Sequence, residues 1–510
     1  MAITVKSSVP AEINKASVFS NEDQEKVADL RGGLIRLQYY ESILQDTVRV
    51  TLFYTDTGST IKKDGKLVSA VEGLPMVGQE RVDLIFTDNN QNEISFTEEG
   101  KNPLYINKIT PILDDTTKSL VMLDLVSKEY ILNEKMRLNT RFDGKISDHV
   151  KGILTRQMVD PETPKEREKN YLDTEKDLDI EPTGTEYNFC GDNRKPFYVI
   201  NWLSKKAVPG AEGNPEAFGN SAGYFLWETA ETTNKEGKVV KGGFHFRSID
   251  WLMNKEVNPK KKSIIYTDSP DGGGEKIPEG YDIKALAAEK SNAIDIQKKL
   301  QMGAFSTRTI MFNPFDCKYE IVSPNAYGDK DNPTDGMQDK LKTAGEKLPV
   351  MNPEFDMNKR EGGEGCDKKD SKEFSRTQYM MIDSGTLIAN GARDPKEWSE
   401  GTKEQLTKSQ TQENFEIGKI LSQSSMRYNQ LFSSKVTVTI PGDFSLHAGN
   451  SIFFDGPELT DDPKKDSIDE KDGGLYIIAD ICHYSSDRDT YTKMNLVRDS
   501  IERKGTPTGG

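Results

Sequence analysis

Residues 433–459, SSKVTVTIPGDFSLHAGNSIFFDGPEL, and residues 473–503, GGLYIIADICHYSSDRDTYTKMNLVRDSIER, decide how the chain is read. Val436, Val438 and Ile440 share one face of an extended segment, and Lys435, Thr437 and Thr439 share the other. Leu475, Ile477, Ala479 and Ile481 repeat the pattern, and Met494 and Leu496 alternate with polar neighbours before Arg498. Pro441-Gly442, Asp455-Gly456, Gly473-Gly474 and Asp487-Arg488-Asp489 supply the turns between them. Four or more short alternating strands with tight breaks predict a small antiparallel barrel, in which closure removes the exposed edges.

The same spacing recurs near the other end of the chain. Ile35, Leu37 and Tyr39 alternate with Arg36, Gln38 and Tyr40; then come Val48, Val50, Leu52 and Tyr54. Val82, Leu84 and Phe86 follow, and the set ends with Tyr105–Ile109 and with Val121, Leu123 and Leu125. Residues 1–28 are polar and read as an N-terminal arm. Between the two sets the periodicity changes. Ile146, Val150, Ile153 and Leu154 form a helical stripe, and Pro196 opens a second helix that carries Phe197, Ile200, Leu203 and Ala207 on one side. AGYFLWETAE and GGFHFRSIDWLM predict a hairpin, 283–301 a helix, FSTRTIMF and DCKYEIV two further strands, and 410–432 a last helix. The stretches 160–186, 254–282 and 326–373 read as long polar insertions. The fold class expected is α+β, mainly β: two similar small antiparallel β-barrels and a mixed α/β middle domain.

At 510 residues the chain can bury several cores. Its net charge of −15 argues against a surface that grips phosphate, and the cluster Lys260-Lys261-Lys262 sits in a polar loop. Cys190, Cys317, Cys366 and Cys482 lack metal-site spacing and read as reduced thiols. No apolar run approaches a membrane span, and residues 1–25 lack the apolar core of a signal peptide.

The patterns that could carry chemistry each have a plainer explanation. GNSAG at 219–223 matches a hydrolase elbow, but a polar loop precedes it and the strand-like YFLWE follows. His149, His245, His447 and His483 are the only histidines, none at ligand spacing, and read as structural. The acidic run 461–474 lacks calcium-loop spacing, and DGGG at 271–274 does not continue as a phosphate-binding loop. The aromatics around Trp202, Trp227 and Trp251 read as the core of the middle domain. No catalytic, metal or cofactor-binding residue is assigned, and no cofactor is expected.

Taken in order, several stretches resemble the baseplate hub proteins of contractile-tailed bacteriophages of the large lytic myovirus type. They are 29–58 (DLRGGLIRLQYYESILQDTVRVTLFYTDTG) with 73–86 (GLPMVGQERVDLIF), then 193–208 (NRKPFYVINWLSKKAV), 222–229 (AGYFLWET) and 242–252 (GGFHFRSIDWL). In the last set they are the Leu446-Ala448-Gly449 turn, 474–486 (GLYIIADICHYSS) and 496–500 (LVRDS). The resemblance implies a non-enzymatic virion protein of the tail baseplate, assembled in the host cytoplasm. As a homotrimer it would pair two barrels per chain into a nearly sixfold ring, adapting a sixfold tail tube to a threefold spike. The implied partners are a trimeric spike or spike-lysozyme protein, a tail-tube initiator, baseplate wedge proteins and phage DNA passing through the channel. Its implied domains are the arm 1–28, a first barrel 29–132, a spike-facing domain 133–301, a discontinuous second barrel 302–325 plus 426–503, the insertion 326–425 and a tail 504–510. A cell-wall hydrolase, a receptor-binding tail protein and the hub of a secretion-system spike are the alternatives.

Overall fold

The computed structural model describes residues 9–155, 172–210, 221–267, 277–303, 307–322, 376–381, 417–456 and 473–499, short breaks within these ranges aside. The architecture is α+β and mainly β, with most strands joined in one extended sheet. Twelve strands define its two halves. The first half holds β1 (Glu12–Phe19), β2 (Leu34–Ser42), β3 (Arg49–Asp56), β4 (Arg81–Thr87), β5 (Leu104–Asp114) and β6 (Ser119–Ser127). The second holds β7 (Ser263–Ile265), β8 (Ala287–Lys290), β9 (Ser434–Pro441), β10 (Ser451–Asp455), β11 (Gly474–Ser486) and β12 (Thr490–Arg498).

Strand pairing makes the second half a copy of the first. In space the first set runs β2-β3-β6-β5-β4, every neighbour antiparallel. The second runs β8-β9-β12-β11-β10, again antiparallel throughout. Adding six to each label converts one set into the other. A short segment ahead of each second strand pairs with the first: Val27–Asp29 pairs with β1 before β2 pairs with β3, and Ile283–Lys284 pairs with β7 before β8 pairs with β9. β1 then meets β4 antiparallel, whereas the short β7 meets β10 parallel, so the first strand of each set runs in the opposite sense.

The repetition extends to single residues. β5 slips register between Ile106 and Lys108, and β11 slips between Ile478 and Asp480. Before each slip a turn donates to the strand: Gln79 N–H to the Ile106 carbonyl at 2.7 Å, Gly449 N–H to the Ile478 carbonyl at 2.8 Å. Ile106 and Ile478 donate back to the carbonyls of Glu80 and Asn450. Both turn residues are left-handed, Gln79 at φ 70° and Gly449 at φ 84°. The Glu80 side chain accepts from Val77 N–H, as Asn450 accepts from His447 N–H. Thr51 donates to Asp124 across β3 and β6, and Thr437 donates to Asn495 across β9 and β12.

One position separates the copies in consequence. A Cβ on Gly449 would stand 2.7 Å from the Trp227 ring in a backbone region that side chains avoid. Gly449→Ala is expected to destabilise the protein by about 2 kcal/mol or more, read from urea unfolding. Gln79→Ala, which already occupies that φ, is expected to stay within about 0.5 kcal/mol.

The middle domain is built on a three-stranded sheet in the order Asp177–Ile180, Gly243–Ser248, Tyr224–Thr229. Helices Ile146–Leu154 and Pro196–Ser204 pack on it through the apolar stripes read from the sequence. The hairpin linker extends outward, and Glu231–Thr233 pairs with Glu93–Phe96 beside β4.

Several expectations are corrected. The 1–28 arm contributes β1, because Ala16 and Val18 face the first core and are buried there. Residues 302–325 do not join the second set: Thr307–Asn313 pairs with Lys318–Val322 and with Arg376–Met381 in a sheet of their own. The strands that do join it, 263–265 and 283–290, lie in stretches read as insertion and helix. Among the described residues of 283–301 the helix is confined to Ile296–Met302; hydrogen bonding of 282–290 to β7 and β9 overrides the helix preference of its alanines. The stretch 160–186 contains the Asp177–Ile180 strand, paired in parallel to Gly243–Ser248. In β11 the slip at Ala479 changes the phase, so Tyr476 and Ile478 face the core with Ile481 and His483 while Leu475 turns away. Residues 326–373, 504–510, the DGGG of 271–274 and nearly all of 461–474 lie outside the described residues.

Candidate assembly interface

The two halves meet edge to edge. β2 lies antiparallel to the second half of β11, with Ser42 opposite Asp480, Tyr40 opposite Cys482 and Arg36 opposite Ser486. The first half of β11 takes β10 on the same edge. This seam makes one sheet of the two sets.

Its buried side is fixed by Glu41. Leu37, Tyr39 and Glu41 are in the inward phase of β2, so an acid stands where an apolar residue is expected. Its Oε2 accepts Ala448 N–H at 2.8 Å, and its Oε1 accepts Ala230 N–H at 3.0 Å and the Tyr39 hydroxyl. The His447 Nδ1 lies 2.9 Å from Oε1, and its Nε2 lies 2.9 Å from the Thr232 hydroxyl. Burial alone would raise the Glu41 carboxyl; His447, Tyr39 and Ala230 outweigh it and hold the group below the usual carboxylate range. One carboxylate thus ties together the first set, the second set and the middle hairpin.

Tyr39 also stacks on His483, the rings 5.8 Å apart and 11° from parallel. Burial lowers His483 to about 4, so the ring is neutral at pH 7. Its Nε2–H then donates to the Leu446 carbonyl, and Nδ1 accepts from the Thr492 hydroxyl. The other side of the sheet is polar and mixed in charge. There the Arg36 guanidinium lies over Phe53 and over Tyr484 across the seam.

The remaining sequence candidates have structural partners elsewhere. His149 Nε2 lies 2.8 Å from the Tyr187 carbonyl, and His245 bridges Asp179 and Thr229. Ser221 of GNSAG is buried, donates to Asp250 at 2.6 Å and accepts from Arg427, which also pairs with Asp499. The strand Tyr224–Thr229 follows it, where an elbow needs a helix. Among the described residues no group of three or more His, Cys, Asp or Glu is placed to hold a metal ion, and no helix is long and apolar enough to cross a membrane. Sequence reasoning missed Glu41 and the meeting of two of the four histidines; the one available signal was an acid in the buried phase of an alternating strand.

No family model matches the chain, and no curated protein matches it. Among solved structures it is similar to the tail protein from Neisseria meningitidis MC58, at 8% identity and TM-score 0.43, over 96% of this chain and 98% of that one. It is similar to the 43 kDa tail protein of prophage MuSo2 from Shewanella oneidensis, at 9% identity and TM-score 0.40, over 98% and 100%. A third is an E. coli component of the type VI secretion system, at 8% identity and TM-score 0.37, over 98% and 79%.

Proposed function

We propose that this chain is a structural tail protein, the homotrimeric hub of a contractile-tail baseplate, and not an enzyme. The observation that carries the reading is the strand-for-strand duplication of β2–β6 in β8–β12, with the same bulge and the same turn bonds in each. Each circuit of pairings is read as one small barrel, the first from Glu12 to Ser127, the second from 263–290 together with 434–499. Three chains would then present six like modules in a ring, a threefold protein with a nearly sixfold face toward a tail tube. The middle domain would seat a threefold spike, with wedge proteins outside and DNA passing through the centre. The polar side of the seam is the candidate channel wall. Arg36, Arg49, Lys435 and Lys493 stand there beside Asp124 and Asp480, so the net acidity of the chain is not concentrated on it.

Light scattering on the purified protein, alone and with its spike, is the test. The expected mass is three times the 57.2 kDa of one chain. A monomer in both samples at micromolar concentration overturns the hub reading. Clearing of cell-wall substrate in a zymogram would return the hydrolase, and retention on intact host cells would return the receptor binder.

A further inference from the structure

The seam within the chain has no counterpart at two strand edges among the described residues. β11 has three neighbours: β12 along one edge, and β10 followed by β2 along the other. Its counterpart β5 has two among the described residues. β6 lies along one edge, and β4 covers the other at Leu104 and Tyr105 alone. From Lys108 to Leu113 that second edge carries no strand among the described residues. The counterpart of β2 shows the complementary gap. β8 pairs with β9, and Ala287–Glu289 carry no strand on their other side among the described residues.

We propose that the 108–113 edge of one copy takes up β8 of the next copy as an antiparallel neighbour, so that the β2–β11 seam recurs between chains as a β5–β8 seam. The inference rests on the trimeric reading and names the surface by which the trimer closes. The exposed apolar residues fall where it requires. Ile112 and Leu113 on β5 are 48% and 51% exposed, Leu286 beside β8 is 42% exposed, and Val77 is 84% exposed. Val77 is the counterpart of His447, which the seam within the chain buries against Glu41. A row of unpaired strand groups flanked by apolar side chains is a template for another strand.

The register follows from the copy. Pro111 pairs with Val121 as His483 pairs with Thr492, and Leu113 pairs with Leu120 as Tyr484 pairs with Tyr491. Tyr484 faces Gln38, whose counterpart on β8 is Glu289, so Leu113 should face Glu289 of the neighbour. Ser486 N–H turns to Asp489, so His483 and Ile481 turn theirs toward β2. Pro111, in the place of His483, leaves the seam between chains one donor short of the seam within a chain. A proline with its missing N–H on the outer edge is also how edge strands are blunted against pairing, and the test separates the two uses.

The double variant Leu113→Cys/Glu289→Cys, oxidised at native pH, is expected to give covalent dimers and trimers on denaturing gels. Either single variant should give none, which controls for the four native cysteines. In the unmodified protein the Ile109 amide, counterpart of Ile481, should exchange with deuterium at least about 100-fold more slowly than a free strand edge. A trimer by light scattering with no cross-link and fast exchange at Ile109 overturns the β5–β8 seam and leaves the hub reading standing. A monomer overturns both.

Discussion

Replacing Glu41 with alanine is expected to destabilise the protein by about 3–5 kcal/mol, because it removes the acceptor on which the seam converges. The buried Ala448 N–H and the His447 Nδ1 lose their partner, and the Ala230 N–H is left with the Tyr39 hydroxyl alone. The urea transition that includes the seam should move to lower denaturant by the corresponding amount. Glu41→Gln keeps the shape and can still accept through one oxygen. It places an amide N–H where either Ala448 or Ala230 also donates, so an intermediate loss of about 2 kcal/mol is expected. The pH dependence separates the charge from the shape. The folded-state Glu41 carboxyl is depressed, so its contribution is present above the usual carboxylate value and is lost as pH falls through the depressed one. Glu41→Gln should therefore flatten the acid limb of the stability curve relative to wild type. A loss below about 1 kcal/mol in Glu41→Ala would show that the two sets are held together by something other than this carboxylate.

The parts of this architecture that the sequence reveals are those whose pattern is local. Val436, Val438 and Ile440 alternate because one face of β9 meets the core and the other meets water, and the structure buries those three. The stripe of Ile146, Val150, Ile153 and Leu154 is likewise complete within nine residues. The strands that were missed lack such a signature. Ser263–Ile265 is three residues long, and its partner β10 lies about 190 positions later, so nothing near it announces a strand. Residues 284–290, KALAAEK, have the composition of a helix, and only bonds to Ile265 and β9 hold them extended. The duplication was legible as spacing but not as identity. Gln79 and Gly449, or Glu80 and Asn450, do the same work with different side chains, since what recurs is a backbone conformation and an acceptor three residues on. For the same reason the seam was invisible. Glu41 and His447 are 406 positions apart, and neither residue alone shows that it needs the other.

The second large effect is expected at Lys176, where the middle domain is fastened to the first set. Its ammonium is almost fully buried, 2.7 Å from Glu129 Oε2 and 2.6 Å from Glu228 Oε1. Glu228 also accepts from the Ser127 hydroxyl and from Val48 N–H, and Glu129 from the Thr174 hydroxyl, so four separate stretches of chain converge on the two carboxylates that hold the cation. Burial would lower the lysine, but the two carboxylates outweigh it and hold Lys176 well above its ordinary value. Lys176→Met preserves the volume of the stem and leaves two buried carboxylates without their cation; the expected loss is about 3–5 kcal/mol. The sign of the pH dependence then identifies the cause. In the wild type the Glu129 carboxyl is depressed and stabilises above the usual carboxylate value, whereas burial raises Glu228, so the two slopes oppose each other. Without the ammonium both carboxyls are raised by burial and by each other. Lys176→Met should accordingly regain stability as pH falls from 8 toward 5, and adding Glu228→Gln should recover part of the loss at pH 8. A variant whose deficit is the same at pH 5 and pH 8 would mean that the methionine disturbs packing against Phe244, whose ring lies 5.6 Å from the ammonium, and that the charge is incidental.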